Sequence, residues 1–486
     1  MLDNITLENF KGFQKLNNLK IKPITILCGT NSCGKTSILQ SILLLKQTLE
    51  SKNPNQTLLL NGRFVKLGYF QDLIFQKKEN TSVKLSINIK DKGNSKFQNF
   101  SNFIQPTENS HRKQFLFNTY IQVDIEFQYI NDTLLIDKLH FQSTLENSDS
   151  SFSNLSINIA KNNSDYFIKW NNIKIEEKWT GETNAALNFS NIFNVSLDLD
   201  NIKDFTEKYK RQVELSNLVG IFSLINDCLK DEYAKITYLG PLRGEPEREY
   251  IYRNEIMEVG NKGENAAFLF LSQQEKPIKD HFFYNKNTDN FEKIQETDLK
   301  HAVNKWLNQM NIKDFEAKIL NKIIYLNLAA SSYDSTEVGI ADVGFGVSQI
   351  FPIVLEGLRM DKGNTLLLEQ PEIHLHPNLQ MQLSDYFISL ALSGKNIIAE
   401  THSDHIINRL VRRIVEDEKH NLSDLIGIYF IKPSENGSVF EEINIDESKG
   451  ITNWPIDFFD QTANEQMRIM QAGIKKRKNA KTSKNQ

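Results

Sequence analysis

Gly29-Thr30-Asn31-Ser32-Cys33-Gly34-Lys35-Thr36 has the spacing GxxxxGKT, and a strand-like run, Ile24-Thr25-Ile26-Leu27-Cys28, leads into it. A glycine-rich loop between a strand and a helix lets successive backbone N–H groups converge on phosphate oxygens, while the helix N-terminus adds positive potential. On this reading Asn31, Ser32, Cys33, Gly34, Lys35, Thr36 and Ser37 line a nucleotide's phosphates. Lys35 reaches the β/γ-phosphates and the Thr36 hydroxyl binds Mg²⁺. A plain glycine turn before a buried helix would need neither the lysine nor the hydroxyl directly after Gly34.

Three later segments fit the same chemistry. Thr365-Leu366-Leu367-Leu368-Glu369-Gln370-Pro371-Glu372 is a buried strand ending in acids, and Glu369 is positioned to bind Mg²⁺ through water at a strand's carboxyl edge. Glu400-Thr401-His402-Ser403 ends the next strand, so His402 can meet the γ-phosphate or an attacking water. Asp342-Val343-Gly344-Phe345-Gly346-Val347-Ser348-Gln349 supplies glycines and a serine ahead of an apolar segment, a second phosphate-facing helix start at Gly346 and Ser348. Taken singly, the histidine would read as structural, and the glycine segment is a weak signal.

In this order the pieces resemble ATP-binding-cassette ATPases, specifically the SMC/RecF/OLD-like branch of AAA-type proteins, in which one head is split by an insertion. The resemblance implies ATP and Mg²⁺ as cofactors. It makes Gly29–Thr36 the Walker A loop, Gly346 and Ser348 the signature motif, Leu366–Glu369 the Walker B strand, and His402 the switch histidine. Gln71, in Leu67-Gly68-Tyr69-Phe70-Gln71-Asp72, is a candidate for the glutamine that joins Mg²⁺ and water, with an ordinary surface residue as the equal alternative. A closer likeness is to prokaryotic stand-alone ATPases carrying Glu-Gln-Pro-Glu-x-His-Leu-His-Pro (Glu369–Pro377), Tyr238-Leu-Gly-Pro-Leu-Arg243 and Trp454-Pro-x-x-Phe-Phe-Asp-Gln461. The last two are expected to pack structurally. His374 and His376 beside Glu372 suggest a metal, but a structural loop is the expectation.

Cassette relatives close the signature motif of one subunit over nucleotide held by the other, so the resemblance implies a homodimer or higher oligomer. It further implies slow ATP hydrolysis whose dimer closure controls DNA or an effector protein, a nuclease or toxin encoded nearby, in antiviral defence or DNA repair. Little chain follows His402, so a nuclease is expected on a partner. Gln370 stands where many cassette ATPases have the glutamate that polarises water; it can orient water but cannot accept a proton as a carboxylate does. The base is then Glu372 or His402, with slow turnover. The competing reading is a non-hydrolysing, ATP-gated scaffold, which Gln370 favours. DNA is a further candidate partner, since Arg409, Arg412 and Arg413 and the Lys475-Lys476-Arg477-Lys478 cluster carry charge. A solvated face and a disordered tail are the plainer expectations for these.

The elements that must position this chemistry follow from hydrophobic period. The expected fold class is α/β, with a mixed or parallel sheet, an antiparallel β subdomain and a helical insertion, and the resemblance implies that it is an ABC-type (SMC/RecF-like) ATPase head. Residues 1–76 form the first part of the core and 77–180 an antiparallel subdomain, of which Tyr120–Phe127 is an alternating example. Residues 181–335 form a helical lobe, with 185–235 and 262–312 read as helical and Leu218, Phe222, Ile225 and Leu229 on one face. Residues 336–448 complete the core and close with a hairpin, and 449–486 carry the C-terminal element and tail. Ile38, Ile42, Leu45 and Leu49 give the helix after the loop an apolar stripe.

Bulk properties exclude other classes. Fifty-seven Lys+Arg against 61 Asp+Glu, net −4, shows no global basic excess. Three cysteines, Cys28, Cys33 and Cys228, form no CxxC pair, which suits a reducing cytoplasm and neither disulfides nor zinc. The apolar run Ile38–Leu45 is far short of the ~20 residues a membrane span needs, and no membrane partner is expected.

Overall fold

The computed structural model describes the chain apart from residues 53–55, 79–80, 92–117, 131–132, 148–149, 174–177, 191, 193, 199–204, 252–257, 331–335, 456–460 and 483–486. Among the described residues, a 15-stranded sheet runs through the molecule. At its nucleotide-loop end the strands are parallel. Ile24–Gly29 lies between Ile426–Ser434 and Asn396–Glu400, followed by Thr365–Glu369 and Ile236–Leu239.

These strands are apolar almost throughout because both faces are covered. Leu27, Leu367, Ile398 and Ile431 pack to one side with Ile38, Ile42, Leu45 and Leu49 of the helix Lys35–Glu50. Ile26, Leu366, Leu368 and Ala399 pack to the other, in one core with residues of the helices Gly346–Arg359, Pro377–Leu392 and Asp404–Glu416. Each fully buried Leu or Ile contributes ~1.5–3 kcal/mol. Parallel strands bring their carboxyl ends to one edge, so Leu239, Glu369, Glu400 and Gly29 emerge there in a row.

Beyond Ile426–Ser434 the sheet turns antiparallel. The hairpin to Gly437–Glu442 leads to Phe13–Lys20, Leu2–Phe10, Val83–Asp91 and Asn118–Ile130, and then outward to Val195–Asp198. Ile121, Val123, Ile125 and Phe127 are buried while their neighbours are less so, the alternation of a sheet with one wet face.

Several expectations need correction. Within 185–235, Lys178–Phe189 and Val195–Asp198 are paired strands, and the helix is Phe205–Ala234. Ala185 and Leu187 are buried at period two, a pattern too short to stand out beside the longer helical one. Leu218, Phe222, Ile225 and Leu229 do line the buried face of that helix. Within 262–312, the helices Ala266–Gln273 and Leu299–Gln309 flank a hairpin, Pro277–Asn285 with Asn290–Asp298, whose turn includes Asp289 at φ 50°. Up to Thr482 the basic tail is part of a helix, Gln461–Thr482, and the rest of it lies outside the described residues. Its Ala, Gln, Met, Lys and Arg are strong helix formers. Of the C-terminal aromatic element, Trp454 is exposed and Pro455 buried, and 456–460 lie outside the described residues.

The basic helix face is also different from expectation. Arg413 is 3% exposed, with Nε on Asp385 Oδ1 at 2.8 Å and its guanidinium over the Tyr284 ring. Arg409 also turns onto Asp385, and Arg412 pairs with Glu416. Buried Asp385 draws two of the three arginines inward, while Arg412 stays exposed beside Glu416. Among the described residues, no helix is long and apolar enough to cross a membrane.

Candidate functional site

The loop's geometry depends on two glycines. Gly29 has φ 143°, and a Cβ there would stand 2.0 Å from Ile431 O on the neighbouring strand. Gly34 has φ 95°, with a Cβ position 3.0 Å from the Phe13 ring. Any larger residue at either position would clash. Asn31 and Ser32 are exposed at the tip, Cys33 and Ser37 are buried, and Ser32 adopts φ 58°. Lys35 Nζ folds back into the loop, donating to Thr30 O at 2.6 Å and Gly29 O at 3.2 Å. The loop is thus held closed around its lysine.

At the strand edge Thr36 Oγ1 donates to Glu400 Oε1 at 3.0 Å. Glu369, opposite Glu400 in strand register, accepts from the Tyr238 hydroxyl at 2.9 Å. Burial pushes the Glu369 carboxyl up to about 7, the Tyr238 hydrogen bond opposing and Glu400's charge adding to the shift. Burial also raises Glu400, against the pull of Thr36 and Lys35. Burial and then the Lys35 charge lower His402, which favours its neutral ring. The edge therefore concentrates acidic oxygens where incoming positive charge would be welcomed. Among the described residues no group of three His, Cys, Asp or Glu side chains could hold a metal ion alone.

Gln370 follows in the left-handed region at φ 44°, its N–H donating to Glu400 O at 2.8 Å and its carbonyl accepting from Arg243 at 2.9 Å. Both bonds fix the backbone at this position. Glu372 is different from its expected role. Its Oε1 accepts the His402 N–H at 2.6 Å and its Oε2 the Thr401 hydroxyl at 2.8 Å, so both oxygens are committed to bracing the histidine. Burial raises its carboxyl, opposed by those bonds and by Arg243.

The 342–349 segment reaches this edge through Arg243, whose Nε donates to Gln349 Oε1 at 3.1 Å. Gly346 and exposed Phe345 lie against His374. Ser348 is 7% exposed and its hydroxyl donates to Phe345 O, so it faces inward, not outward as expected. Gln71 is exposed in the short helix Phe70–Leu73, lining a surface cavity of about 600 Å³ with Tyr69, Tyr129 and Thr133. No described hydrogen bond joins it to the loop or to Glu369. His376 caps the helix Pro377–Leu392 by accepting the Asn378 N–H, the structural job expected of that loop.

Sequence reasoning missed Glu400, Tyr238, Arg243 and Gln349 as parts of the site. Their signals were present: an acid directly before Thr401-His402, and the Tyr238–Arg243 motif, which was expected only to pack. The structure places both ends of that motif on the strand edge, Tyr238 because its strand is parallel to and beside the Glu369 strand.

Endonuclease GajA of Bacillus cereus (strain HuB5-5) is 24% identical over 425 residues, covering 84% of this chain and 56% of the endonuclease. The chain therefore spans about half the length of that curated relative. Among solved structures, the SmcHead bound to the C-winged helix domain of ScpA superposes over 92% of this chain and 98% of its own, at 11% identity and TM-score 0.41. The SMC head domain from Thermotoga maritima does so over 91% and 99%, at 8% and 0.34. Residues 423–469 match a family described as "Protein of unknown function (DUF3696)". Residues 1–407, which carry the loop, both acidic strand ends and His402, match the family described as "AAA ATPase domain", and the chain belongs to it.

Proposed function

We propose that this protein binds ATP at Gly29–Thr36, hydrolyses it slowly, and uses ATP-dependent closure of a homodimer to control an effector protein or DNA. The observation that carries the reading is the convergence, on one strand edge, of the loop lysine, the Thr36 hydroxyl, the paired strand ends Glu369 and Glu400, and His402. Thr36 and Glu369 would hold Mg²⁺; their oxygen-only donors suit a hard cation, whose contribution when bound is to neutralise triphosphate charge. His402, braced by Glu372, would orient the γ-phosphate or water. Gln370 would orient water without taking its proton, which keeps turnover slow.

In the closed dimer, the start of the helix Gly346–Arg359, preceded by exposed Phe345, would face the partner's γ-phosphate. Arg243 links that helix to Gln370, so nucleotide state and dimer closure would share one connection. A defence or DNA-maintenance role rests on the family resemblance and on the endonuclease relative.

The test is Mg²⁺-dependent ATP hydrolysis by the purified protein beside Lys35→Ala, with and without DNA, and with Gln370→Glu. Turnover lost in the lysine variant and raised in Gln370→Glu supports the ATPase. ATP binding without turnover in any form favours a second reading, an ATP-gated scaffold, for which Gln370 is the specific observation.

A further inference from the structure

The Tyr238–Arg243 segment grips two consecutive residues at the end of the Thr365–Glu369 strand. At one end the Tyr238 hydroxyl donates to Glu369 Oε1 at 2.9 Å, and at the other Arg243 Nη2 donates to the Gln370 carbonyl at 2.9 Å. Between them the Gly240 N–H donates to Asn261 O. A stretch that only filled the core would bury its leucine and leave its arginine in solvent. Here the reverse holds: Leu242 is 69% exposed and Arg243 4%.

Gln370 needs such a hold. Its φ of 44° puts a residue with a side chain in the left-handed region, and strain of this kind persists where the surroundings over-determine it. The peptide groups on both sides of Gln370 are fixed, one by Glu400 O and the other by Arg243. The same guanidinium reaches a second element. Its Nε donates to Gln349 Oε1 at 3.1 Å, and Gln349, in the first turn of the helix Gly346–Arg359, is 3% exposed. A guanidinium is a rigid planar fork, so a shift of that helix is passed to the Gln370 peptide. The third nitrogen, Nη1, is buried without a partner. An arginine kept for stability alone would spend every nitrogen, as Arg413 does on Asp385, Asp289 and Glu416. Burial lowers the Arg243 guanidinium to about 10, against the Glu372 charge, so it stays cationic at neutral pH.

Resting on the ATPase reading above, we infer that Arg243 is a positioning residue for hydrolysis, which holds the Gln370 backbone in its left-handed conformation and ties it to Gln349. The helix Gly346–Arg359 then sets where residue 370 stands, and the Tyr238–Arg243 segment serves the reaction as well as the packing. The merely structural alternative, in which Arg243 only anchors its own loop, predicts lower stability with kcat per folded molecule unchanged.

The experiment measures kcat and KM for Mg²⁺-ATP with the full-length protein, the folded fraction being fixed by circular dichroism. The set is wild type, Lys35→Ala, Arg243→Ala, Gln349→Leu, Gln349→Glu, Gln370→Ala and the double variant Arg243→Ala with Gln370→Ala, the slowest followed by release of labelled phosphate in a single turnover. Arg243→Ala should lower kcat by about 10²-fold, with KM within about twofold of wild type. Gln349→Leu removes the acceptor and should lower kcat by about tenfold, whereas Gln349→Glu keeps an acceptor for Nε and should stay within about threefold of wild type. In the Gln370→Ala background, Arg243→Ala should change kcat by less than about twofold, because it acts through residue 370. An equal fall in both backgrounds, or an unchanged kcat in folded Arg243→Ala, would overturn the inference while leaving the ATPase standing. Should Arg243→Ala fail to fold, the Gln349 pair decides, and equal kcat for Gln349→Leu and Gln349→Glu would overturn it. Wild type that hydrolyses no ATP, or Lys35→Ala that hydrolyses it as fast, would overturn the ATPase reading itself and this inference with it.

Discussion

Two buried charge clusters lie at opposite ends of one short stretch, residues 400 to 413, and they are built on opposite principles. Around Arg413 every charge is answered: Asp385 at 2.8 Å, Asp289 and Glu416 at 2.9 Å, and the Tyr284 ring beneath the guanidinium. At the loop edge the carboxylates of Glu369 and Glu400 face each other across paired strands, and Glu400 Oε2 and Arg243 Nη1 have no partner. Closed networks hold a fold together, whereas unanswered buried charge marks a place prepared for something that arrives from outside. The difference separates structural arginines from site acids more sharply than motif matching does.

Breaking the closed cluster should have the largest effect. Asp385→Ala leaves Arg413 buried without its main partner, and chemical denaturation should show a loss of about 3–5 kcal/mol. Nucleotide chemistry in whatever protein remains folded should be little changed. The reverse profile is expected of Lys35→Ala. Its ATP turnover should fall by about 10²–10³, read in a steady-state assay, with the thermal midpoint nearly unmoved because the Lys35 ammonium bonds only atoms of its own loop.

The open cluster should also announce itself through pH. Glu369 is raised to about 7 in the fold, so between its unfolded value and 7 the native state holds a proton that the unfolded chain has lost. Stability contributed at this site is present at low pH and lost as pH rises, with a ceiling of about 3 kcal/mol. In EDTA and without nucleotide, Glu369→Gln should therefore be more stable than wild type at pH 8 and nearly equal to it at pH 4.5, measured by urea midpoints. A difference independent of pH would remove Glu369 from the open cluster. The smallest effect is expected of Tyr238→Phe, which deletes one hydrogen bond and should cost about 1 kcal/mol in the same assay.

The phosphate loop could be found without a structure because its chemistry is local: GxxxxGKT needs only a strand before it and a helix after it. The Glu369 and Glu400 strands were legible for the same reason, as continuous apolar runs. The hairpin at 277–298 was not, because its strands carry many polar residues among helices of greater apolar contrast. Arg413 looked like surface charge because its acid, Asp385, lies 28 residues away. Glu372 looked like a spare base because nothing local shows that both its oxygens hold residues 401 and 402.

The sequence by itself determined that a triphosphate-binding loop, acidic strand ends and a histidine belong to one α/β domain, since each depends on neighbours within a few residues. Only the tertiary structure decided which acid stands beside Thr36, that Arg243 joins Gln349 to the Gln370 backbone, and that Ser348 faces inward. Strand order and burial settle those relations. Both arise from contacts between residues a hundred or more positions apart, and no local pattern encodes them.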